Sequence, residues 1–477
     1  MGMDSLIPVC TAHELRQADA ATITGEPISG YDLMERAAWR LTQALLNVCS
    51  PDSPFHIVCG PGNNGGDGLA MARILASRGC RVRVSLCLYG KTLSQSAAMN
   101  RNLLNLYNIV TIQEIQSTGN LRWSTSETVI DCLFGSGLSH ALGEMWAETA
   151  EQMNQSGCNI ISIDSPSGLF DEQPQGNAVF IRASKTLSIQ CPRPSFFYPE
   201  NKVDFQVVDI GIHTSILPHN AVYLSPDHTA TEKYLQSLLP ARQRHSHKGH
   251  YGHALLVGGS APFPGSIAMS ARACVQSGAG LTTVWCAPES RPWLVQNPRA
   301  MVWPQEFTSA SAESLEESKY NSLLIGPGLG TSSESLQILA QLLHVWRKPV
   351  ILDADALNLL SKTPAIWKML PQGSLLTPHP GEFTRLFGHT ASGYEKFEIA
   401  AEKAANLGLH IMAKDSNSVL FTPDGKRYFN GSGDARLAQG GSGDSLSGLA
   451  AGYFAQTQNM ESAAILAMHH LPEFAAR

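Results

Sequence analysis

The chain of 477 residues is several times longer than a usual single domain, so we expect two or more domains with separate cores. Hydrophobic residues make up 43% and charged residues 16% of the chain, which is typical of soluble globular proteins rather than disordered or fibrous ones. With 34 Lys and Arg against 40 Asp and Glu, the net charge of -6 provides no basic excess for phosphate backbones, and we expect no nucleic-acid partner.

The N-terminus carries Asp4 where a secretory signal needs basic residues, and Leu6 where a myristoylation motif needs Ser or Thr. Gly, Pro, Arg or His interrupts the most apolar stretches, so we predict no membrane span. The 10 cysteines form no CxxC pair, and we interpret them as small buried hydrophobes in a reducing compartment. The sequence therefore predicts a cytoplasmic protein.

Short apolar strands alternate with helical patterns, one of which covers residues 69–76. This alternation is typical of parallel strands joined by crossover helices, so the predicted fold class is α/β, with an N-terminal Rossmann-like domain of α/β/α layers. A second series of strands begins near residue 254 and predicts a second α/β domain. The predicted strands are 56–59, 81–86, 128–130 and 159–163, then 254–257, 323–325, 349–352 and 418–421.

We place the domain boundary in segment 214–231, which carries two prolines and no long periodic pattern. The predicted domains are residues 1–215 and 225–477. The histidine-rich tract 245–253 lacks a nearby carboxylate or thiol that would complete a metal site. We interpret this tract as a loop that leads into a strand.

A glycine-rich loop follows the first predicted strand and opens a helix, so that backbone amides lie where open α/β sheets bind ligands. Its glycines at 60, 62 and 65 satisfy the GxGxxG pattern of nicotinamide dehydrogenases. The next strand, however, ends in Tyr89-Gly90-Lys91 instead of the acid that holds ribose. Two Asn and one Asp are more polar side chains than a tight turn requires, which favours a different ligand site.

Two more loops in this half begin with an Asp at the carboxyl end of a strand, at Asp131 and Asp164. Three loops from separate strands should therefore converge on one crevice. Oxygens of Asn64, Asp131 and Ser167 could coordinate a hard cation there, while another carboxylate transfers a proton. The alternative interpretation makes Asp131 and Asp164 helix N-caps.

The second half has four polar loops after predicted strands. The most informative is Gly440-Gly441-Ser442-Gly443-Asp444, which opens a helix of small and apolar residues. Glycine amides at a helix N-terminus form an anion hole, and Asp444 beside it is a candidate base for phosphoryl transfer. Asp444 could instead be an ordinary N-cap, and Asp434 competes for the role of base. The other three loops are 258–266, 326–330 and 377–382.

Neither a Walker A lysine motif nor the protein-kinase signature set occurs, so phosphoryl transfer would use another scaffold. Asp353 and Asp355 could bind a metal, but Asp355 is more simply a helix cap. His379 stands between two prolines, and this rigid placement favours a ligand contact.

Residues 1–215 resemble the YjeF N-terminal domain, which is NAD(P)H-hydrate epimerase. The resemblance rests on the motifs 33–37, 62–68, 131–138, 166–169 and 208–212. It implies a potassium site at Asn64, Asp131 and Ser167, and a catalytic role for Asp164. Phe170 departs from the family pattern, which has an Asp there, and Asp171 follows one place later. The residues that the resemblance implies to bind the hydrated nicotinamide are Asn63, Asn64, Gly65, Gly66, Asp67, Gly135, Ser136, Gly137, Leu138 and Asp164.

Residues 248–452 resemble the ribokinase-like YjeF C-terminal domain, a nucleotide-dependent NAD(P)H-hydrate dehydratase. The matching motifs are 248–252, 353–358, 377–382 and the Asp444 loop. The resemblance implies ADP or ATP with Mg²⁺ as co-substrate. Two positions depart from the family pattern, Ser266 for alanine and Asp415 for glycine. The implied hydrate-binding residues are Ser266, Gly328, His379 and Asp444, and the implied nucleotide-binding residues are Lys414, Asp415, Ser416, Asn417, Ser418 and Gly443.

Together these resemblances predict a bifunctional repair enzyme that epimerises hydrated NADH and NADPH and dehydrates the S form with an adenine nucleotide. We also expect a homo-oligomer. One alternative is a ribokinase-like small-molecule kinase with an N-terminal accessory ligand-binding domain. A second alternative makes the first domain a non-enzymatic ligand-binding or scaffolding module.

Overall fold

The computed structural model describes residues 6–107, 110–217 and 219–475. The elements up to residue 208 are β1 (Ile7–Pro8), α1 (Ala12–Gly25), α2 (Gly30–Val48), β2 (Phe55–Cys59), α3 (Asn63–Ser77), β3 (Val82–Cys87), α4 (Gln95–Tyr107), β4 (Thr111–Ile115), β5 (Thr128–Cys132), α5 (Glu144–Gln155), β6 (Asn159–Ile163), β7 (Lys185–Ile189) and β8 (Phe205–Val208). The later strands are β9 (Ala221–Leu224), β10 (His253–Val257), β11 (Leu281–Trp285), β12 (Ala300–Val302), β13 (Ser322–Ile325), β14 (Ile351–Leu352), β15 (Leu375–Leu376), β16 (His410–Ala413), β17 (Val419–Phe421) and β18 (Arg427–Asn430). The later helices are α6 (Thr229–Leu238), α7 (Pro264–Gln276), α8 (Ser309–Ala312), α9 (Ser333–Val345), α10 (Asp355–Lys362), α11 (Pro364–Trp367), α12 (Pro380–Phe387), α13 (Gly393–Leu407), α14 (Ser442–Thr457) and α15 (Met460–Ala475).

The described residues divide into two compact units. One consists of residues 8–107, 110–217 and 392–394, and the other of residues 6–7, 219–391 and 395–475. No helix within these ranges is both long and apolar enough to cross a membrane.

The first unit contains a seven-stranded sheet in the order β4-β3-β2-β5-β6-β7-β8. Every neighbouring pair in it is parallel. The interior strand β2 is buried along its whole length, and its residues are apolar except His56, which hydrogen-bonds Ser85 Oγ at 2.8 Å. Because the strands are parallel, the loops that follow β2, β5 and β6 leave the same edge of the sheet.

The second unit contains an eleven-stranded sheet in the order β1-β9-β18-β17-β16-β15-β14-β13-β10-β11-β12. It is parallel from β12 to β16, and the β16–β17 and β17–β18 pairs are antiparallel. Successive residues of β10 point to opposite faces of the sheet. Ala254 and Leu256 join one hydrophobic core cluster, whereas Leu255 and Val257 join another.

One parallel sheet and one mostly parallel sheet, both with crossover helices, confirm the predicted α/β class. Predicted strand positions agree with the structure to within two residues at their start, as for 349–352, where β14 is Ile351–Leu352. The segment 214–231 is more ordered than its sequence suggested, since β9 and the start of α6 lie inside it. Strand β9 gains its place by pairing with β18, which is remote in sequence.

Candidate active sites

A cleft of ≈ 590 Å³ in the first unit lies at the strand edge where the three predicted loops meet. Helices α1 and α2, the N-terminus of α3 and the loops after β5 and β6 line it. The predicted site residues that line the cleft are Asn63, Asn64, Asp67, Gly135, Ser136 and Asp164.

Hydrogen bonds from backbone amides to side-chain oxygens join the loops that the sequence placed together. The Ser136 amide donates to Asp164 Oδ2 at 2.7 Å, and the Phe134 amide donates to Ser167 Oγ at 2.9 Å. Neither Asp131 nor Asp164 caps a helix, because Asp131 lies within β5 and no helix follows Asp164 directly. The N-cap alternative for these two residues is therefore wrong.

Asp164 is held by a buried arginine. Arg193 Nη2 donates to Asp164 Oδ1 at 2.6 Å, and the Arg193 side chain is 0% exposed. The negative charges of Asp164 and Asp171 raise the pKa of Arg193 despite its burial. Asp164 has a φ of +67°, a left-handed backbone conformation that few non-glycine residues adopt. The ion pair and the backbone together fix the carboxylate at the cleft.

Two further carboxyl groups face the same cleft, Asp19 from α1 and Asp67 from α3. Burial and the nearby Asp164 charge raise the pKa of Asp19 to about 6. The same two causes raise the pKa of Asp67 well above its ordinary value. The cleft therefore combines carboxyl groups of different proton affinity, an arrangement suited to acid–base chemistry.

All three residues of the predicted cation site are buried, Asn64 at the start of α3, Asp131 in β5 and Ser167 in the loop after β6. Asp131 accepts hydrogen bonds from the Ser167 hydroxyl at 2.6 Å, the Ser167 amide at 2.9 Å and the Ser162 hydroxyl at 2.8 Å. Burial raises the pKa of Asp131, and these bonds oppose the effect. Asn64 is 8% exposed, and neither polar atom of its side chain has a partner among the described residues.

Four predicted substrate-binding residues do not line the cleft. Gly65 and Gly66 are buried inside α3, where a Cβ on Gly65 would lie 1.9 Å from the Gly60 carbonyl oxygen. Gly65 thus permits the helix to start close against the preceding turn. Gly137 and Leu138 follow the lining residue Ser136 in the sequence but do not line the cleft themselves.

Phe170 stands where the family pattern has an aspartate, but the next residue, Asp171, is a buried carboxyl group. Asp171, one place later, is 6% exposed and accepts a hydrogen bond from the Ser195 hydroxyl at 2.8 Å. Burial raises the pKa of Asp171 to about 6, although the Arg193 charge opposes this. Asp171 therefore belongs to the charged surroundings of Arg193.

In the second unit, Asp444 is the third residue of α14. The N-cap of this helix is Gly441, and no side chain caps it, so the N-cap alternative for Asp444 is wrong. Burial and the Asp353 charge raise the pKa of Asp444 to about 6, whereas a hydrogen bond from the Ser266 hydroxyl lowers it. A half-buried carboxyl that titrates near neutrality at an amide-rich helix start suits a general base.

A buried ion pair lies beside this helix start. Lys414 Nζ donates to Asp353 Oδ1 at 2.7 Å, and the Asp353 side chain is 1% exposed. A Cβ on Gly443 would lie 3.3 Å from Lys414 Nζ, so the ammonium group is close to the α14 N-terminus. The ammonium group and the helix amides together provide an electropositive region for an anion.

The carboxylate that departs from the family pattern, Asp415, is neutralised. Lys396 Nζ donates to Asp415 Oδ2 at 3.0 Å, and Lys396 is 6% exposed. The loop from 414 to 418 joins the antiparallel strands β16 and β17, so its polar groups lie at a sheet end. The ion pair removes the repulsion that an unpaired Asp415 would exert on phosphates.

The remaining predicted contacts lie at two helix starts. Gly328 has a φ of +61°, and a Cβ there would lie 2.5 Å from the Phe263 carbonyl oxygen and 3.2 Å from Ser266 Cβ. His379 caps α12, with Nδ1 accepting from the Gly381 amide at 3.0 Å. Glu382 of the same capping box is 4% exposed, and burial raises its pKa to about 7.

The structure also shows the contacts of Asp434, the competing candidate base, and of Asp355, the predicted helix cap. Asp434 caps a short 3-10 helix and pairs with Arg436 at 2.7 Å, and the hydrogen bonds from Arg436 lower its pKa to about 2. Asp355 is not the cap of α10, since the N-cap is Ala354. The Asp355 carboxylate instead accepts from the Gly330 amide at 2.8 Å, so the helix-cap interpretation is wrong.

Sequence patterns did not identify Asp19, Arg193 or Lys396 as candidate functional residues. Arg193 follows the carboxyl end of β7, as Asp164 follows β6, so the rule that found the aspartates would also have found it. Asp19 shares a helical spacing with Ala12, Leu15 and Ile23, all of which line the cleft. Lys396 carries no comparable signal, because it reaches Asp415 only through tertiary packing.

Comparison with known families gives two matches along the chain. A family model described as YjeF-related protein N-terminus matches residues 30–195. Another, described as NAD(P)H-hydrate dehydratase, matches residues 254–476. Each candidate site lies in a different matched region, apart from Asp19, which precedes the first.

Relatives of the whole chain carry both regions. A bifunctional NAD(P)H-hydrate repair enzyme Nnr from Thermofilum pendens is 30% identical over 446 residues, covering 90% of this chain and 84% of the relative. A relative of the same name from Coxiella burnetii is 30% identical over 442 residues, covering 92% and 88%. An ADP/ATP-dependent NAD(P)H-hydrate dehydratase from Bacillus subtilis, co-crystallized with ATP/Mg²⁺, is 33% identical, with a TM-score of 0.45 over 50% of this chain and 85% of that one. The chain belongs to the family of bifunctional NAD(P)H-hydrate repair enzymes.

Proposed function

We propose that this protein restores hydrated NADH and NADPH to their active forms by two reactions in two sites. The cleft in the first unit interconverts the R and S hydrates, with Asp164 as a catalytic residue. The site at the start of α14 dehydrates the S form with ADP or ATP, with Asp444 as the base. The observation that carries the proposal is the half-buried Asp444 carboxyl beside the Lys414–Asp353 pair and the amides of α14.

The dehydration needs a base and an anion hole. The hydrate carries a hydroxyl on the carbon next to the ring nitrogen, and hydroxide is a poor leaving group. Asp444 takes the hydroxyl proton as the oxygen attacks the terminal phosphoryl group of the nucleotide. The amides at the start of α14 and the Lys414 ammonium stabilise the charge of the transferring group. The nitrogen lone pair then expels phosphate, and loss of a neighbouring proton restores the dihydropyridine ring.

Nucleotide binding is proposed for Lys414, Asp415, Ser416, Asn417, Ser418 and Gly443. Pairing of Asp415 with Lys396 supports this proposal, because it leaves the loop without a net repulsive charge. For Mg²⁺, a candidate ligand is Asp353 Oδ2, a buried oxygen without a partner among the described residues. When bound, Mg²⁺ would neutralise phosphate charge during transfer.

Hydrate binding in the second unit is proposed for Ser266, Gly328, His379 and Asp444. The close approach of Gly328 to Ser266, and the hydrogen bond of Ser266 to Asp444, support a shared site for three of them. In the first unit, hydrate binding is proposed for the residues that line the cleft, which are Asn63, Asn64, Asp67, Gly135, Ser136 and Asp164. The family resemblance extends the proposal to Gly65, Gly66, Gly137 and Leu138, which do not line the cleft.

Potassium is proposed at Asn64, Asp131 and Ser167, and the donors fit this ion in type. All three supply hard oxygen ligands, and the Asn64 side-chain oxygen is buried without a partner. The Ser167 hydroxyl has a second acceptor, the Phe134 carbonyl at 2.9 Å, so its proton can leave Asp131 Oδ1 free for a cation. When bound, potassium would hold the loops after β5 and β6 around the substrate.

The proposed function is tested with purified protein, hydrated NADH epimers, and ADP or ATP. Return of the dihydronicotinamide absorbance, with release of inorganic phosphate, is expected when nucleotide is present. The R hydrate alone should convert to a mixture of epimers without nucleotide. Accumulation of a stable phosphorylated product would instead identify a ribokinase-like small-molecule kinase, and absence of every reaction would leave a binding module.

We further propose a cytoplasmic location and a homo-oligomeric state. The ten cysteines are free thiols, which supports a reducing compartment. Fractionation of the source cells and light scattering during size-exclusion chromatography test these two proposals.

A further inference from the structure

The side chain of Asp19 lines the cleft of the first unit, and its carboxyl group has no hydrogen-bond partner among the described residues. It is on the face of α1 that also carries Ala12, Leu15 and Ile23 into the cleft lining. The side chain is half-buried, and it makes no hydrogen bond to any described residue. Asp19 is therefore positioned to act on a ligand in the cleft.

Asp164, in contrast, is engaged on both oxygens. Arg193 donates to Oδ1 at 2.6 Å, and the Ser136 amide donates to Oδ2 at 2.7 Å. Since both oxygens accept hydrogen bonds, Asp164 presents acceptors and no donor to the hydroxyl of a ligand. A reaction that needs both an acid and a base requires a second group.

A buried amide side chain without partners is a further sign that the cleft binds a ligand. Asn64 lines it, is 8% exposed, and leaves both side-chain polar atoms without partners among the described residues. Such a buried amide is costly unless a ligand satisfies it.

Charged groups face Asp19 from several elements. They are Asp164 after β6, Asp67 on α3, Arg193 after β7, and Arg16 on α1 itself. Burial and the Asp164 charge raise the pKa of Asp19 to about 6, while Arg193 opposes them. Both proton forms of Asp19 are therefore populated between about pH 5 and pH 7.

We propose that Asp19 is a second catalytic residue of the epimerase cleft, the acid that protonates the hydroxyl of the hydrated ring. This inference rests on the proposed epimerase function. Asp19 gives its proton to the hydroxyl oxygen, the C–O bond breaks, and both of its electrons leave with the oxygen as water. The ring nitrogen lone pair forms a C=N bond and leaves a planar iminium.

Water then adds to the opposite face of the planar carbon. Its oxygen forms the new C–O bond, the C=N electrons return to nitrogen, and its surplus proton passes to the Asp164 carboxylate. One proton has moved from Asp19 to Asp164, and its return resets the cleft. The product is the other epimer with unchanged composition.

The test compares Asp19→Asn and Asp19→Glu with the unmodified chain, starting from the pure R hydrate and subtracting the rate in buffer. Asp19→Asn should lower kcat for epimerisation by about 100-fold or more with a small change in KM. Asp19→Glu should recover part of that loss. In the unmodified chain kcat/KM should fall as pH rises above about 6, because Asp19 loses its proton, and Asp19→Asn should lack this decline.

Asp52→Asn is the matched control, since it removes one exposed carboxylate from the same unit and should leave epimerisation unchanged. Thermal unfolding reports whether the first unit is folded in each variant, and nucleotide-driven dehydration of the S form reports the second unit. Near-normal epimerisation by Asp19→Asn, or a loss confined to KM, would overturn the assignment of Asp19. If the unmodified chain itself epimerises no hydrate, the result contradicts the proposed epimerase function and not the assignment of Asp19 as the acid.

Discussion

Arg193 and Asp164 form an ion pair inside the first unit, with Arg193 Nη2 donating to Asp164 Oδ1 at 2.6 Å and no exposed surface on the arginine. Removal of one partner from a buried pair leaves the other charge without compensation, which typically costs about 3–5 kcal/mol. Asp164 is therefore important for both folding and chemistry, and variants must separate the two.

Asp164→Ala should abolish interconversion of the R and S hydrates while nucleotide-driven dehydration of the S form continues. The reason is that Asp164 and Asp444 lie in different units of the chain. The rates are measured separately by chromatography of the epimers and by dihydronicotinamide absorbance. Asp164→Asn is the folding control, because Asn tolerates a left-handed backbone and can still accept from Arg193. Loss of both activities in folded protein would contradict the two-site proposal.

Asp444→Asn should lower dehydratase turnover by about 100-fold or more, because the amide keeps the size of the side chain but cannot take a proton. Nucleotide affinity, measured by calorimetry, should persist through the α14 amides and Lys414. Asp434→Asn is the matched control from the neighbouring loop, where the carboxylate caps a short helix and pairs with Arg436. Near-normal turnover of Asp444→Asn would mean that another group is the base.

Dehydratase kcat/KM should fall as pH drops below about 6, since the base must be ionised and the pKa of Asp444 is raised to about 6. Ser266→Ala removes a hydrogen bond that favours the ionised carboxylate, so the acid limb should move to higher pH. A pH–rate profile of both proteins with saturating nucleotide measures this shift. An unchanged limb in Ser266→Ala would show that another group controls the profile.

Lys396→Met should weaken nucleotide binding several-fold, because Asp415 would then carry an uncompensated charge in the proposed phosphate loop. The double variant with Asp415→Asn should recover most of the affinity, since the repelling charge is gone. Calorimetric titration with ADP gives both dissociation constants, and thermal unfolding reports any general loss of stability. Equal weakening in the single and double variants would indicate a packing effect of Lys396 instead.

A thallium soak of crystals should give an anomalous peak bounded by Asn64, Asp131 and Ser167. Thallium replaces potassium among oxygen ligands, and the unpartnered Asn64 amide is the strongest structural reason to expect an ion there. Asn64→Ala should lose the peak and retain one at any unrelated surface site. Full thallium occupancy elsewhere with nothing at this position would contradict the potassium proposal.

Much of the architecture could be predicted from the sequence alone. The alternation of apolar strands and helices determined the α/β class, because parallel strands require crossover helices. Parallel order also places the loops at 62–68, 131–138 and 164–169 at one edge, so the sequence alone predicts that Asn64, Asp131 and Asp164 belong to one site. The glycines before Asp444 marked the other site, since amides at a helix start bind anions whatever surrounds them.

Only the tertiary structure decided which charges compensate one another. Asp164 pairs with Arg193, and Asp415 with Lys396, through side chains that lie 29 and 19 residues apart. Ser266 reaches Asp444 across a still longer separation. Such contacts depend on how helices pack on a sheet rather than on local periodicity. The same packing set the burial that raises the pKa of Asp19, because proton affinity depends on desolvation and neighbouring charge rather than on residue type.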